Sequence, residues 1–311
     1  MSSPNPTPAT TGPATVRPPS TDPAEAASAS RGDRGRGLAL AVLFAAALLT
    51  AWALHPEGVV VSRDPGYAPR PVPLLVVPAL LAAAAALALP GPSRPASAVT
   101  VRRPRRAVAE TAGLIGLFAL FVVLAPRLTL PEDAIVLKAA LFMLVPALAL
   151  GLLARRGASI QIERPAGSTL PTLLPVALLG VLPTLGPLAT PAPSTWPPVG
   201  LLIVSAVATA ITAGLGEELL FRRFLQTRLE ALAGPWTGIL ATSLLFGLSH
   251  LLSHHGGLTL DGVAQVIAMQ GSTGIALGLI WARWRRLRWC VLAHVLLNGL
   301  GVLVHLVSLA L

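Results

Sequence analysis

Three short groups of residues carry types and spacings that could do chemistry. Glu217 and Glu218 follow the chargeless segment Val199 to Gly216 and precede Arg222 and Arg223. A charge placed in a bilayer costs at least about 2.5 kcal/mol on insertion scales, so ionisable residues inside apolar stretches are the first candidates for function. On a helix, Glu218 and Arg222 are four apart and share a face, whereas Glu217 points about 100° away. One carboxylate is thereby neutralised and the other is left for proton transfer. Taken alone, this cluster reads equally well as a solvated helix end. Phe246 and His250 are also four apart, as are His294 and Asn298, so each imidazole leaves its helix on the same side as its companion. A carboxylate meeting two imidazoles can act as a general base or as a proton relay. Glu110 and Lys138 sit near the ends of apolar stretches, where snorkelling is cheap, and are expected to be structural. His305, alone in the last stretch, is expected to make an interhelical hydrogen bond, as are His254 and His255 at a loop edge.

The elements that must position these groups follow from composition. The chain has 311 residues, 54% hydrophobic and only 12% charged, with mean hydropathy +0.72, which excludes an ordinary water-soluble globule. A formal charge of +10 could suggest nucleic acid, but the cations fall in the gaps between apolar stretches, where they report topology, so no nucleic-acid partner is expected. The single cysteine, Cys290, excludes an internal disulfide and a paired thiolate metal site. Arginine greatly outnumbers lysine, and Ala, Gly and Pro are abundant, which points to a GC-rich, bacterial genome.

Residues 1–36 are rich in Pro, Ser, Thr and Ala and are expected to be a disordered tail. Nine apolar segments follow, at about 37–54, 72–89, 107–125, 134–154, 170–190, 199–221, 236–253, 262–282 and 289–310. Each is long enough to span a hydrocarbon core of about 30 Å, so the expected fold is an all-α polytopic transmembrane bundle of about nine spans. The tail and the even-numbered connections hold 19 cations and the odd-numbered connections 3, which places the N-terminus in the cytoplasm and the protein in the cell membrane. Ala51-Trp52-Ala53 satisfies the small-residue rule for signal cleavage, but the long polar leader makes an uncleaved anchor the simpler expectation. Pro175, Pro183 and Pro187 should kink the fifth span, as a pocket wall or as a tolerated bend.

Depth links the three groups. Glu217 lies 17 residues before Gly234 and His250 15 after Pro235, so a hairpin bent at that dipeptide returns His250 to the level of Glu217. With Arg222 and Arg288 as surface markers, Glu217 and His294 both lie about 8 to 9 Å beneath the cytoplasmic surface. The seventh helix then enters late, and the polar stretch Ser253 to Asp261 is expected to sit partly in a cavity.

In order, Glu217-Glu218-Leu219-Leu220-Phe221-Arg222, Phe246-Gly247-Leu248-Ser249-His250 and His294-Val295-Leu296-Leu297-Asn298 match the motifs EExxxR, FxxxH and HxxxN. The set resembles the CPBP family of intramembrane proteases, which includes type II CAAX prenyl endopeptidases and bacteriocin-processing or lysostaphin-resistance-like self-immunity proteins. The resemblance covers about residues 199–302 and implies a catalytic helical core there, with accessory helices over 37–190. It implies an endopeptidase in which Glu217 is the general base activating a water, assisted by His250. His294 and Asn298 would stabilise the oxyanion or hold the centre, with Glu218, Arg222 and Phe246 supporting them. The family is often described as metalloproteases, and Glu217, His250 and His294 with an open position would be acceptable zinc ligands; a metal-free glutamate mechanism suits the residues equally. The partners implied are a peptide or membrane-protein substrate and the bilayer. A non-proteolytic immunity or scaffold protein retaining the site, and a proton-coupled transporter, are the competing readings.

Overall fold

The computed structural model describes residues 23–60, 66–90, 99–251 and 258–311. Nine helices among these residues follow the expected apolar segments in order. They are α1 (Pro23–Leu54), α2 (Val72–Ala88), α3 (Pro104–Leu124), α4 (Pro131–Ala139, running through a π-helical stretch Ala140–Leu144 into Val145–Ala154), α5 (Leu173–Gly180), α6 (Val199–Thr209, running through a π-helical stretch Ala210–Gln226 into Thr227–Ala233), α7 (Pro235–Leu248), α8 (Leu260–Val266, through Ile267–Gly271 into Ser272–Trp284) and α9 (Leu287–Ala310). Strands β1 (Val99–Val101) and β2 (Ile160–Ile162) pair antiparallel.

This is a multi-pass membrane protein, but fewer of its helices reach spanning length than the sequence suggests. Among the described residues six are long and apolar enough to cross: Ser28–Leu54, Pro104–Arg127, Glu132–Ala154, Val199–Ala233, Leu260–Trp284 and Leu287–Ala310. Val72–Ala88, Leu170–Gly180 and Pro235–Leu248 are shorter. The fifth segment stops at Gly180 because Pro183 and Pro187 cannot donate to a helical ladder, and the chain turns instead, with Thr190 N–H donating to the Pro183 carbonyl at 2.8 Å. Pro175 is tolerated because it lies in the first turn of α5. The seventh begins only at Pro235, after the turn, as expected of a late-entering helix. His254, His255 and the Gly256-Gly257 pair lie outside the described residues.

The tail is the clearest correction. α1 starts at Pro23, fourteen residues before Gly37, so residues 23–36 are helical rather than disordered, while residues 1–22 of the expected tail lie outside the described residues. Their polar residues do work that composition alone hides. Asp33 is buried, and its Oδ1 accepts the backbone N–H of Thr237 and the Thr237 hydroxyl, both at 2.8 Å, while Oδ2 accepts Trp236 N–H at 3.3 Å. The N-cap of α7 is Gly234, which has no side chain, so Asp33 supplies the missing capping oxygen from another helix. Arg36 adds a bond to the Ala233 carbonyl at 2.7 Å.

Polar contacts between connections form two sets. One joins the start of α1 to the α6–α7 turn, β1 to β2, Glu110 to Ser159 and Arg228, and Glu230 to Arg285. The other joins His55 to Asp261 at 2.7 Å, Arg70 to the Ala189 carbonyl, and Ser194 to Gly66. The first set gathers most of the arginines at one end of the bundle, repeating the alternation of the charges. The largest apolar core surrounds α8, with Leu277, Ile280, Trp281 and Trp284 buried against α2, α5 and α9. Cys290 is buried there, its thiol 3.6 Å from the Leu277 carbonyl.

Candidate active site

Glu217, Glu218 and Arg222 lie in the π-helical stretch of α6, which is wider than an α-helix and is a form of backbone often found at functional sites. All three are fully buried. Glu218 is in ion-pair contact with Arg222, Oε2 to Nε at 3.2 Å, as their spacing requires. Its other oxygen, Oε1, accepts from His294 Nδ1–H at 2.9 Å. A carboxylate that only accepts fixes the hydrogen on Nδ1, so His294 turns Nε2 toward Glu217, 3.9 Å from Oε2.

His250 follows the end of α7 directly. Its Nδ1 donates to the Phe246 carbonyl at 2.9 Å, and the Ser249 hydroxyl is 3.0 Å from the same nitrogen. A carbonyl can only accept, so here too Nε2 is the nitrogen left to face Glu217, at 4.0 Å from Oε1. Both imidazoles therefore present Nε2 to one carboxylate at distances beyond a direct hydrogen bond. Phe246 is the packing hub beneath them, its ring centroid 5.1 Å from His250, 5.8 Å from His294 and 4.9 Å from the Arg222 guanidinium.

The position of α9 is set by close approach. A Cβ at Gly214 of α6 would stand 2.4 Å from Val295 Cγ2, and one at Gly180 of α5 would stand 2.7 Å from Leu296 Cβ. Bare backbone on both sides lets α9 bring His294 to Glu217 and makes α5 a supporting wall. Asn298, one turn beyond His294, is exposed and makes no hydrogen bond to the other site residues among those described. Its motif spacing places it beside the site without joining it to the buried cluster.

Residues 197–300 match the family model described as type II CAAX prenyl endopeptidase Rce1-like. They are a CPBP-family region. No curated protein and no solved structure compared with the chain matches it. The CPBP region takes in α6 to α8 whole and α9 as far as residue 300, and supports an intramembrane endopeptidase of the CAAX type acting on a peptide within the membrane.

One member of the cluster comes from outside the CPBP region. The ammonium of Lys138, on α4, is in ion-pair contact with Glu217 Oε1, while neither Glu217 oxygen receives a hydrogen bond of regular geometry. Sequence reasoning set Lys138 aside as a snorkelling residue. The signal that could have found it was arithmetic: two adjacent carboxylates share one in-register cation, so the second needs a countercharge from elsewhere, and Lys138 is the cation left inside a span. Glu110, set aside on the same ground, is structural, buried against Arg228 at 2.8 Å and Arg106 at 2.9 Å.

The zinc reading can be tested on these atoms. Tetrahedral ligands at about 2.0 to 2.2 Å from zinc stand about 3.3 Å apart. Here the Nε2 atoms are 4.0 and 3.9 Å from different oxygens of Glu217, and one of those oxygens already holds the Lys138 ammonium. Among the described residues no three His, Cys, Asp or Glu side chains form a metal-holding group. Glu217, His250 and His294 as arranged do not fit a zinc ion.

Proposed function

We propose that the protein is an endopeptidase that hydrolyses a peptide bond of a membrane-associated substrate at a site within the bundle, whose arginine-rich end the positive-inside rule makes cytoplasmic. A water held between Glu217 and the two Nε2 atoms attacks the peptide carbonyl and passes its proton to Glu217. The carbonyl π pair moves to oxygen, where the Asn298 amide meets the developing charge, while His294 Nε2 accepts the second hydrogen of the water. The proton then reaches the leaving nitrogen through His250 and the C–N bond breaks, giving a carboxylic acid and an amine, between which the acid proton passes to leave a carboxylate and an ammonium. Glu218 orients His294 and neutralises Arg222.

The observation that carries this reading is the convergence of His250 and His294 Nε2, at 4.0 and 3.9 Å, on opposite oxygens of one fully buried carboxylate. The test compares membrane peptides from cells carrying the native chain and Glu217→Gln, then incubates peptides found only with the native chain with purified protein. Cleavage should be lost in Glu217→Gln and His250→Ala. Cleavage retained by a folded Glu217→Gln protein refutes the assignment.

A further inference from the structure

We propose that Lys138 is a positioning residue of this site: its ammonium holds the Glu217 carboxylate between the two imidazoles, so a helix outside the family region completes the active centre. Glu217 has no countercharge of its own on α6. The residue four further on is Phe221, and Arg222 is engaged by Glu218. Both imidazoles stand beyond hydrogen-bond reach of the carboxylate. Among the described residues the Lys138 ammonium is the one charged group in direct contact, and it takes Oε1, leaving Oε2 as the oxygen to meet a proton.

The delivery of Lys138 is built into the packing. Its helix widens into a π-helical stretch immediately after it, and Phe142 in that stretch is fully buried. Phe142 meets Phe121 at 4.9 Å and Phe221 at 5.7 Å, and Phe221 meets Phe246 at 5.4 Å, so an unbroken row of rings runs from the accessory helices to the hub of the site. Gly216, next to Glu217, is the close-approach point, where a Cβ would stand 3.0 Å from Met143 Cγ. The two partners differ in a way that an experiment can read. The Glu217 side chain is 1% exposed and Lys138 20%, so a stranded lysine near the start of its helix can turn outward and snorkel whereas a stranded glutamate cannot.

The full chain in detergent, as Lys138→Met, Glu217→Gln and the double variant, tests the pair by thermal unfolding without any substrate. Lys138→Met should lower Tm more than Glu217→Gln does, and the double variant should regain most of the loss. The effect on rate rests on the hydrolytic reading. With peptides identified by the Glu217→Gln comparison, folded Lys138→Met should lose about 100-fold in kcat with KM little changed, the size expected of a misplaced catalytic group, and Lys138→Arg should fall between. Additive Tm changes, or a folded Lys138→Met with kcat within threefold of native, overturn the proposal. If Lys138→Met does not fold, a folded double variant supports the pairing, and a double variant that also fails to fold overturns it in favour of plain packing. Should Glu217→Gln itself cleave, the hydrolytic reading falls, while the Tm pattern still decides whether the two charges are coupled.

Discussion

Glu218→Gln is the substitution whose consequences the structure specifies most closely. Glu218 sits between two donors, with Arg222 Nε at 3.2 Å and His294 Nδ1 at 2.9 Å, and all three side chains are buried. Glutamine keeps the volume but offers one acceptor oxygen, so its NH2 must face either the guanidinium, donor against donor, or the imidazole, which then has to move its hydrogen from Nδ1 to Nε2. A hydrogen bond to a charged group contributes about 1.5 to 3 kcal/mol, and stranding one member of a buried pair costs about 3 to 5 kcal/mol. Contact of Arg222 with the Phe246 ring at 4.9 Å offsets part of this, on the order of 1 to 2 kcal/mol. A net loss of about 3 kcal/mol is expected, a large share of the roughly 5 to 15 kcal/mol that holds most domains folded. Denaturant titration in mixed micelles, followed by tryptophan fluorescence from the buried Trp281 and Trp284, measures it. Among molecules still folded, His294 loses its anchor and kcat should fall about 100-fold. A folded Glu218→Gln protein within about 0.5 kcal/mol of native stability, the range of an ordinary surface change, would show that the buried triad does not carry the site. Glu218→Leu with Arg222→Met should recover stability without recovering activity, since apolar pairs replace buried ion pairs well.

Other outcomes follow from the same contacts. Asp33→Ala removes the oxygen that caps α7 and should destabilise the protein by about 1 to 2 kcal/mol in the same titration. Gly234→Ala forces a side chain onto a backbone with φ of 98° and into Asp33, where a Cβ would stand 2.4 Å from Cγ, and should cost at least about 1 to 3 kcal/mol. Chelation and dialysis should leave peptide cleavage within about twofold of the starting rate, and loss restored by added zinc would show that the Lys138 ammonium gives way to a metal.

The candidate site was legible in the sequence because its parts obey local rules. Four-residue spacing puts Arg222 on Glu218 and the Phe246 carbonyl on His250, and the stop at Gly234-Pro235 fixes how far the chain must run before His250 returns to Glu217. What was illegible depends on contacts between distant segments. Composition marks residues 23–36 as polar and unstructured, yet Asp33 caps a helix two hundred positions away, and no property of the tail alone reveals that α7 begins on a glycine without a capping side chain. The contact of Lys138 with Glu217 was illegible for a related reason. Snorkelling is decided by what lies alongside, and the neighbour is Glu217, from a different part of the chain. The fifth segment shows the limit of apolar length as a guide, because Pro183 and Pro187 in an otherwise apolar run end the helix at Gly180.

The isolation of Cys290 has a practical sequel. Because the chain's single thiol is sealed within the core around α8, an impermeant maleimide applied to intact cells meets a background with essentially no native reactivity. Cysteines placed one at a time at exposed positions such as Arg34 at one end and Glu57 at the other then act as clean reporters of which end faces the medium, and the wild-type protein needs no prior engineering for the experiment.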